Sequence, residues 1–403
     1  MKAKDRLLKY ITFMTPSDEA SPTTPSSKCQ FELANYLVDE LKSLGIEDAF
    51  CDDNCYVYGH LQATPGYENK TAIGFIAHID TVSDFCDHPV NPIITENYDG
   101  ADLSLGNSGL VLSSEMFPHL KTLRGRTLLT TDGTTILGAD DKAGMAEIMT
   151  ALELVKDIPH GPISVAFTPD EELGRGTDKF NVDIFNAKYA YTLDGETEGE
   201  IQFETFTASK ATVTFNGTNV HPGQAKNVMI NAVELAMEFN GMLPYGDKPE
   251  YTEEKEGFFH ILSIEGDVSK VKSKYLIRDH ESDAFAFREY LVEHTAKLLN
   301  EKYGERTVIL EIEEQYRNMR EVIDQYPEVK DVAIRATKSA GLNPLLIPIR
   351  GGTDGSGLSF MGLPTPNLGT GGHAYHGPYE HITFEAMDNA TDVIVEIIKE
   401  FAN

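Results

Sequence analysis

Thiols are few in this chain. Four cysteines occur in 403 residues, and Cys29, Cys51, Cys55 and Cys86 all lie in its first quarter. They form no CxxC pair and no Cys/His spacing that would hold a structural zinc. We read all four as free thiols, as expected in a reducing cytoplasm. Positive charge is also scarce: 34 Lys and Arg face 64 acids, for a net charge of −30. Such a surface repels phosphate backbones and anionic lipid, so neither nucleic acid nor a membrane is an expected partner. No apolar run approaches the roughly 18–20 residues of a membrane helix. The opening stretch "MKAKDRLLKYITFM" has neither the continuous apolar core nor the small-residue cleavage site of a signal peptide, and the expected localisation is cytoplasmic. Repeats, low-complexity tracts and long linkers are missing too.

What remains is an ordinary globular composition, 41% hydrophobic and 24% charged, in a chain long enough for two domains. Near the start, "TPSSKCQFELANYLVDELKSLGI" reads as an amphipathic helix with Leu33, Leu37, Leu41 and Leu44 on one face. Ser26 or Ser27 is its expected cap and Gly45 its end. "NCYVYGHLQA", "TAIGFIAHID", "PISVAFTPDEELG" and "KYAYTLDG" read as strands. "GADDKAGMAEIMTALELVKDI" reads as a turn feeding a helix with Met145, Ile148, Met149, Leu152 and Val155 on its apolar face. Strands alternating with helices predict a mostly parallel, mixed sheet flanked by helices, an α/β fold. After about Phe206 the order becomes βαββαβ, which suits a small ferredoxin-like α+β sandwich inserted into the larger domain. The expected division is 1–206 plus 319–403 for the larger domain and 207–318 for the insertion.

Polar chemistry gathers where strands end: His78 and Asp80, Asp140 and Asp141, Glu171 and Glu172, and Asp194. A glycine-rich stretch near the C-terminus, "GGHAYHGPYEH", adds His373, His376 and His381. Ligands of open α/β sheets bind beyond the carboxyl ends of the strands. Each position has an ordinary reading alone. An Asp pair caps a helix, a Glu pair makes a solvated turn, and a lone His at a strand end is most often a core or surface residue. Together they crowd several carboxylates at one sheet edge, and divalent cations supply the missing positive charge. Imidazole and carboxylate donors without thiolate suit zinc, and also cobalt or manganese. The set is large enough for two ions roughly 3.5–4 Å apart. Residues two apart on a strand point to the same side, so His78 can bind a metal while Asp80 accepts the proton of its other ring nitrogen.

In order along the chain, "AHIDTV", "LGADDKAG", "TPDEELGRG", "YTLDG" and "GGHAYHG" resemble the M20 family of co-catalytic zinc peptidases. "LLTTDGTTILGADDKAG", "NGTNVHPGQAKN", "YLIRDH" and "RGGTDGSGLSFMGLPTPN" resemble its tripeptide aminopeptidase branch in particular. The resemblance implies that His78 and Asp194 bind one zinc and Glu172 and His376 the other. Asp140 bridges both and precedes a cis peptide bond to Asp141. It makes Glu171 the general base and Asp80 the residue that orients His78. His221, Arg278 and Arg350 become substrate residues, the histidine for the oxyanion and the arginines for the peptide carboxylate. Where a more glycine-rich run follows the metal Asp in the family, this chain has "DGETEGEIQFE", a departure at Glu196 that bears on the local pocket shape and not on the metal ligands.

The expected activity is removal of the N-terminal residue from tripeptides. Another M20 hydrolase, a dipeptidase or an N-acyl-amino-acid amidohydrolase, is the alternative within enzymes. From outside that class the alternative is a metal-stabilised binding module without catalysis. The expected partner is a small peptide, and the expected state is a monomer or a homodimer formed through the inserted domain.

Overall fold

The computed structural model describes residues 1–403, which divide into two units. The first comprises Met1–Phe203, Met319–Ile347 and Thr353–Asn403, and the second Glu204–Asn318 and Pro348–Gly352.

The first unit is built on an eight-stranded mixed sheet. Its strands run in the order Phe50–Cys51, Val57–Leu61, Ile163–Thr168, Ile73–His78, Tyr189–Gly195, Asn367–Gly369, Glu200–Gln202 and Leu345–Leu346. Ile73–His78 and Ile163–Thr168 are buried at every residue, the pattern of a strand covered on both faces. Ile73–His78 lies parallel to both Ile163–Thr168 and Tyr189–Gly195. The carboxyl ends of three strands therefore sit side by side, with His78 opposite Thr168. A second sheet has the order Gly372–His373, His381–Thr383, Leu128–Thr131 and Pro92–Thr95. It ties the glycine-rich C-terminal loop to the strand that leads into Asp140.

Two local readings change on folding. The helix Gln30–Ser43 buries Leu33, Leu37 and Leu41 and ends at Gly45, whose φ of +87° is left-handed. It is not capped by Ser26 or Ser27. The residue before it is Cys29, with no side-chain cap, because Ser26 donates to Asp170 and Ser27 to the Pro16 carbonyl. A buried carboxylate competes better for the Ser26 hydroxyl than a helix terminus open to water does.

The helix Ala139–Leu154 buries Met145, Ile148, Met149 and Leu152 as expected, and buries its opposite face too. The helices Ala3–Tyr10 and Phe384–Ala402 pack on it. Glu147 is thereby sealed in, with neither carboxylate oxygen hydrogen-bonded. Burial pushes its carboxyl well above the usual range, with the charges of Asp141 and Glu198 adding to the shift.

The second unit is a four-stranded antiparallel sheet in the order Phe258–Gly266, Lys270–Asp279, Thr207–Asn216 and Val308–Tyr316. With the helices Ala232–Met242 and Ser282–Tyr303 it gives the βαββαβ sequence of a ferredoxin-like sandwich. Thr207–Asn216 alternates buried and half-buried residues along its outer part. Its inward residues join Phe239, Tyr275, Ile277, Val292 and Leu299 in one core. Asn231 starts the first helix by accepting from the amides of Val233 and Glu234.

Glu147 yields a stability prediction. A carboxyl whose folded pKa lies above its unfolded value holds its proton more tightly when folded. Stability is therefore lost as pH rises past the unfolded value of roughly 4.3. Glu147→Met removes the unpartnered acid at similar volume. It is expected to raise stability in denaturant titrations by about 1–3 kcal/mol at pH 8, and by less at pH 5. An equal or opposite change at the two pH values would contradict a buried, protonation-dependent Glu147.

Candidate metal centre

His78 is the last residue of its strand, and its ring is almost wholly buried. Nε2 lies 2.9 Å from Asp140 Oδ1 and 3.5 Å from Asp194 Oδ1. Nδ1 donates to the Asp80 carbonyl oxygen at 3.0 Å, and the Asp80 carboxylate is farther, at 3.5 Å. The expectation that the Asp80 side chain takes this proton is thus corrected, since the backbone carbonyl does so. The carboxylate is spent elsewhere: Oδ1 accepts from the Glu171 amide at 2.9 Å and Oδ2 from the Glu172 amide at 3.3 Å. Asp80 is wholly buried, and it locks the turn carrying the two glutamates to the His78 strand end.

Asp140 stands between the two imidazoles. Its Oδ1 faces His78 Nε2 at 2.9 Å, and its Oδ2 faces His376 Nε2 at 3.0 Å. His376 Nε2 also lies 3.1 Å from Glu172 Oε2. Asp140 thus neighbours both histidines, with Asp194 also near His78 and Glu172 also near His376. The donor atoms of His78, Asp140 and Glu172 lie within 4.8 Å of one another, as do those of His78, Glu171 and Asp194. The Asp140–Asp141 peptide is cis. Asp141 turns to the interior, where Oδ2 accepts from the His78 amide at 3.1 Å and Oδ1 from the Gly144 amide at 3.2 Å.

The electrostatics ask for cations. The ion-pair partners of these carboxylates are the two histidines. Two like charges 4 Å apart repel by about 4 kcal/mol at the effective dielectric of a protein site. Burial, joined by the Asp194 charge, lifts the Glu171 carboxyl well above its ordinary range. Burial likewise raises Glu172, and it takes Asp194 to about 6. Burial pushes the His78 imidazole down, but the neighbouring carboxylates of Asp140, Asp194 and Asp80 outweigh that and raise it well above normal. His376 is raised to about 10 by its hydrogen bonds to Asp140 and Glu172. Protons on the imidazoles therefore hold places that divalent ions would take. Glu172 Oε1 is buried and has no hydrogen-bond partner. Imidazole and carboxylate donors, one orphaned carboxylate oxygen and no thiolate fit a hard-to-borderline divalent metal such as zinc, cobalt or manganese.

Sequence reasoning missed Glu380. Its carboxylate is buried and accepts from three consecutive-turn amides, Leu137 at 2.6 Å, Gly138 at 2.8 Å and Asp140 at 3.0 Å. It fixes the backbone that presents Asp140, and its signal was an acid inside the same histidine-rich loop. Asp354 was missed as well. It is buried, accepts from Thr168 Oγ1 at 2.8 Å, and burial raises its carboxyl to about 7. His373 and His381 do not join the centre. They stack with His119, ring centroids 4.0 and 5.1 Å away, and His381 Nε2 meets His119 Nε2 at 2.9 Å. Glu196 follows the Asp194 strand, and its carbonyl accepts from the Gly371 amide.

His221, Arg278 and Arg350 belong to the second unit. His221 heads the short turn Pro222–Gln224 and accepts from the Gly223 amide through Nδ1. Arg278 is buried over the Tyr316 ring and donates to Ser209 O, Ile277 O and Gln315 Oε1. Arg350 lies over Phe206 and Phe258 and donates to Thr252, Glu254 and Glu256 carbonyl oxygens. These hydrogen bonds go to neutral oxygens, so neither guanidinium is neutralised by them.

Residues 132–400 match the profile of Peptidase family M20/M25/M40. Peptidase T of Bacillus licheniformis is 51% identical over 404 residues, spanning 99% of this chain and 98% of that protein. Among solved structures, aminopeptidase PepT from Bacillus cereus aligns with a TM-score of 0.77 and 25% identity over 99% of each chain. A tripeptidase from Staphylococcus aureus aligns with a TM-score of 0.79 and 21% identity over 100% of this chain and 98% of that one.

Metal uptake has a readout independent of activity. Ions that bind the folded chain alone stabilise it by about 2.7 kcal/mol per site at a hundredfold excess over Kd. Zinc, cobalt or manganese added to chelator-treated protein is expected to raise its melting temperature by several degrees. The same titration near pH 7 is expected to release protons from the imidazoles. Asp140→Asn is expected to lose most of the rise. An equal rise in that variant would take the ions away from this cluster.

Proposed function

The chain belongs to Peptidase family M20/M25/M40, and on that footing we propose a metal-dependent aminopeptidase that removes the N-terminal residue of tripeptides. The observation that carries the reading is Asp140 with one oxygen turned to each imidazole, beside the adjacent glutamates Glu171 and Glu172. In this reading His78 and Asp194 would hold one zinc ion and His376 and Glu172 a second, with one Asp140 oxygen available to each. Bound there, the ions supply Lewis acidity and bring the pKa of a water toward neutrality.

The residues of the chain do the rest. Glu171 takes a proton from the attacking water and returns it to the departing amine. Asp80 holds the amides of Glu171 and Glu172, so the base and its ligand neighbour move as one piece. Glu380 holds the Asp140 backbone. Arg278 and Arg350 are assigned to the peptide's carboxylate and His221 to the oxyanion on the family likeness, and to take a carboxylate the guanidiniums must release some of the neutral oxygens they now hold. No helix is long and apolar enough to cross a membrane. A cytoplasmic enzyme acting on small peptides, as a monomer or homodimer, is the setting we assign.

The test compares tri-, di- and tetrapeptides with N-acylated amino acids on the zinc-loaded protein. Tripeptides are expected to turn over fastest. Turnover of acylated amino acids alone would reassign the chain to an amidohydrolase. Glu171→Ala is expected to lower kcat by roughly 10²–10⁴-fold with metal content unchanged. Unimpaired cleavage by that variant would remove Glu171 as the base.

A further inference from the structure

The residue before the two glutamates is also an acid, and it faces the other way. Asp170 is 0% exposed. Its Oδ2 accepts from the Ser26 amide at 2.7 Å, and its Oδ1 from Ser26 Oγ at 2.5 Å and Gln30 Nε2 at 2.8 Å. Its φ of +57° lies in the left-handed region, which Asp tolerates better than most side chains. That backbone turn sends the Asp170 side chain into the N-terminal segment. Its carbonyl meanwhile closes the following turn, accepting from the amides of Leu173 at 3.2 Å and Arg175 at 3.0 Å. Glu171 and Glu172 follow at once, their amides on Asp80.

The N-terminal segment is itself tied to the His78 side of the site. The Ser17 amide donates to the Thr81 carbonyl and the Thr81 amide to the Thr15 carbonyl, each at 3.0 Å. Arg175 donates to the Ser21 carbonyl at 2.9 Å. The glutamate turn is therefore gripped by two carboxylates. Asp80 holds its amides, and Asp170 anchors it to residues 26 and 30. The hydrogen bonds at Glu171 itself are made by its backbone, through the amide to Asp80 and the carbonyl to Gly174. The position of its side chain thus follows from where this turn is held.

We infer that Asp170, with Ser26 and Gln30 as its anchors, is a positioning residue for the reaction: it fixes the Glu171 carboxylate relative to the ligand Glu172. The inference rests on the reading of Glu171 as the base. A misplacement of about 1 Å at a reacting group costs on the order of 10²-fold in rate.

The experiment measures kcat, KM and melting temperature of the zinc-loaded protein and its variants with a tripeptide. Asp170→Ala is expected to lower kcat by about 10²-fold while KM stays within about twofold. Asp170→Asn keeps the shape and tolerates the left-handed backbone. Gln30 Oε1, buried and unpartnered, accepts from the new amide once the Gln30 amide turns over, so much of the kcat is expected to return. Ser26→Ala keeps the backbone donor and is expected to lower kcat by a smaller factor without unfolding the chain. It carries the test should Asp170→Ala fail to fold. A merely structural role would lower melting temperature and leave kcat untouched below it. That result, or a normal kcat in Ser26→Ala, overturns the inference. Glu171→Ala in the same series separates the two readings. If it retains turnover, the base assignment falls and the inference with it. If it is inactive while Asp170→Ala and Ser26→Ala keep full kcat, only the positioning role falls.

Discussion

Like charges at one sheet edge are the constraint from which this architecture follows. Asp140, Glu171, Glu172 and Asp194 converge on a largely buried spot, where two imidazoles are the ionic partners of Asp140, Glu172 and Asp194. Folding would not hold such a group together without positive charge, and the loop that brings His376 into it is braced accordingly. Glu380 binds three amides of the Asp140 turn, and the strand pairing of His381–Thr383 with Leu128–Thr131 brings the C-terminal loop to the same place. Cations bound there would offset the repulsion and, in the proposed reading, would supply the Lewis acidity as well.

The scaffold makes this possible through the neighbouring ends of parallel strands. His78, Glu171 and Asp194 come from separate segments, yet Ile73–His78 lies between the other two strands in register. A fixed sheet sets their spacing, and only short turns are left to be shaped by side-chain hydrogen bonds. Those turns use buried acids as struts: Asp80 under the glutamate turn, Glu380 under the Asp140 turn, and Asp170 into the N-terminal segment. Each strut accepts from backbone amides, which give a carboxylate directed partners without a buried cation.

Much of this was legible from the residues. Apolar runs ending in acids announce strand ends, and a His two residues before an Asp at such an end suggests a supported ligand. The helical and strand periodicities gave the α/β sheet and the βαββαβ insertion. What escaped were partnerships set by tertiary packing. Nothing local to Ser26 shows that it serves Asp170 and not the helix that follows. The short contact between His78 and the Asp80 carbonyl, in place of the carboxylate, depends on where the glutamate amides fall. Glu147 reads as the solvent side of an amphipathic helix until two further helices cover it. His373 and His381 carry the right chemistry, but they point to His119 and not to the carboxylates.

Anomalous X-ray scattering from crystals grown with zinc, recorded on either side of the zinc edge, asks most directly whether these carboxylates are held together by metal. The account predicts two peaks flanking Asp140, one within bonding distance of His78 and Asp194 and one within bonding distance of His376 and Glu172. Strong zinc peaks elsewhere on the chain, with none beside Asp140, would contradict it.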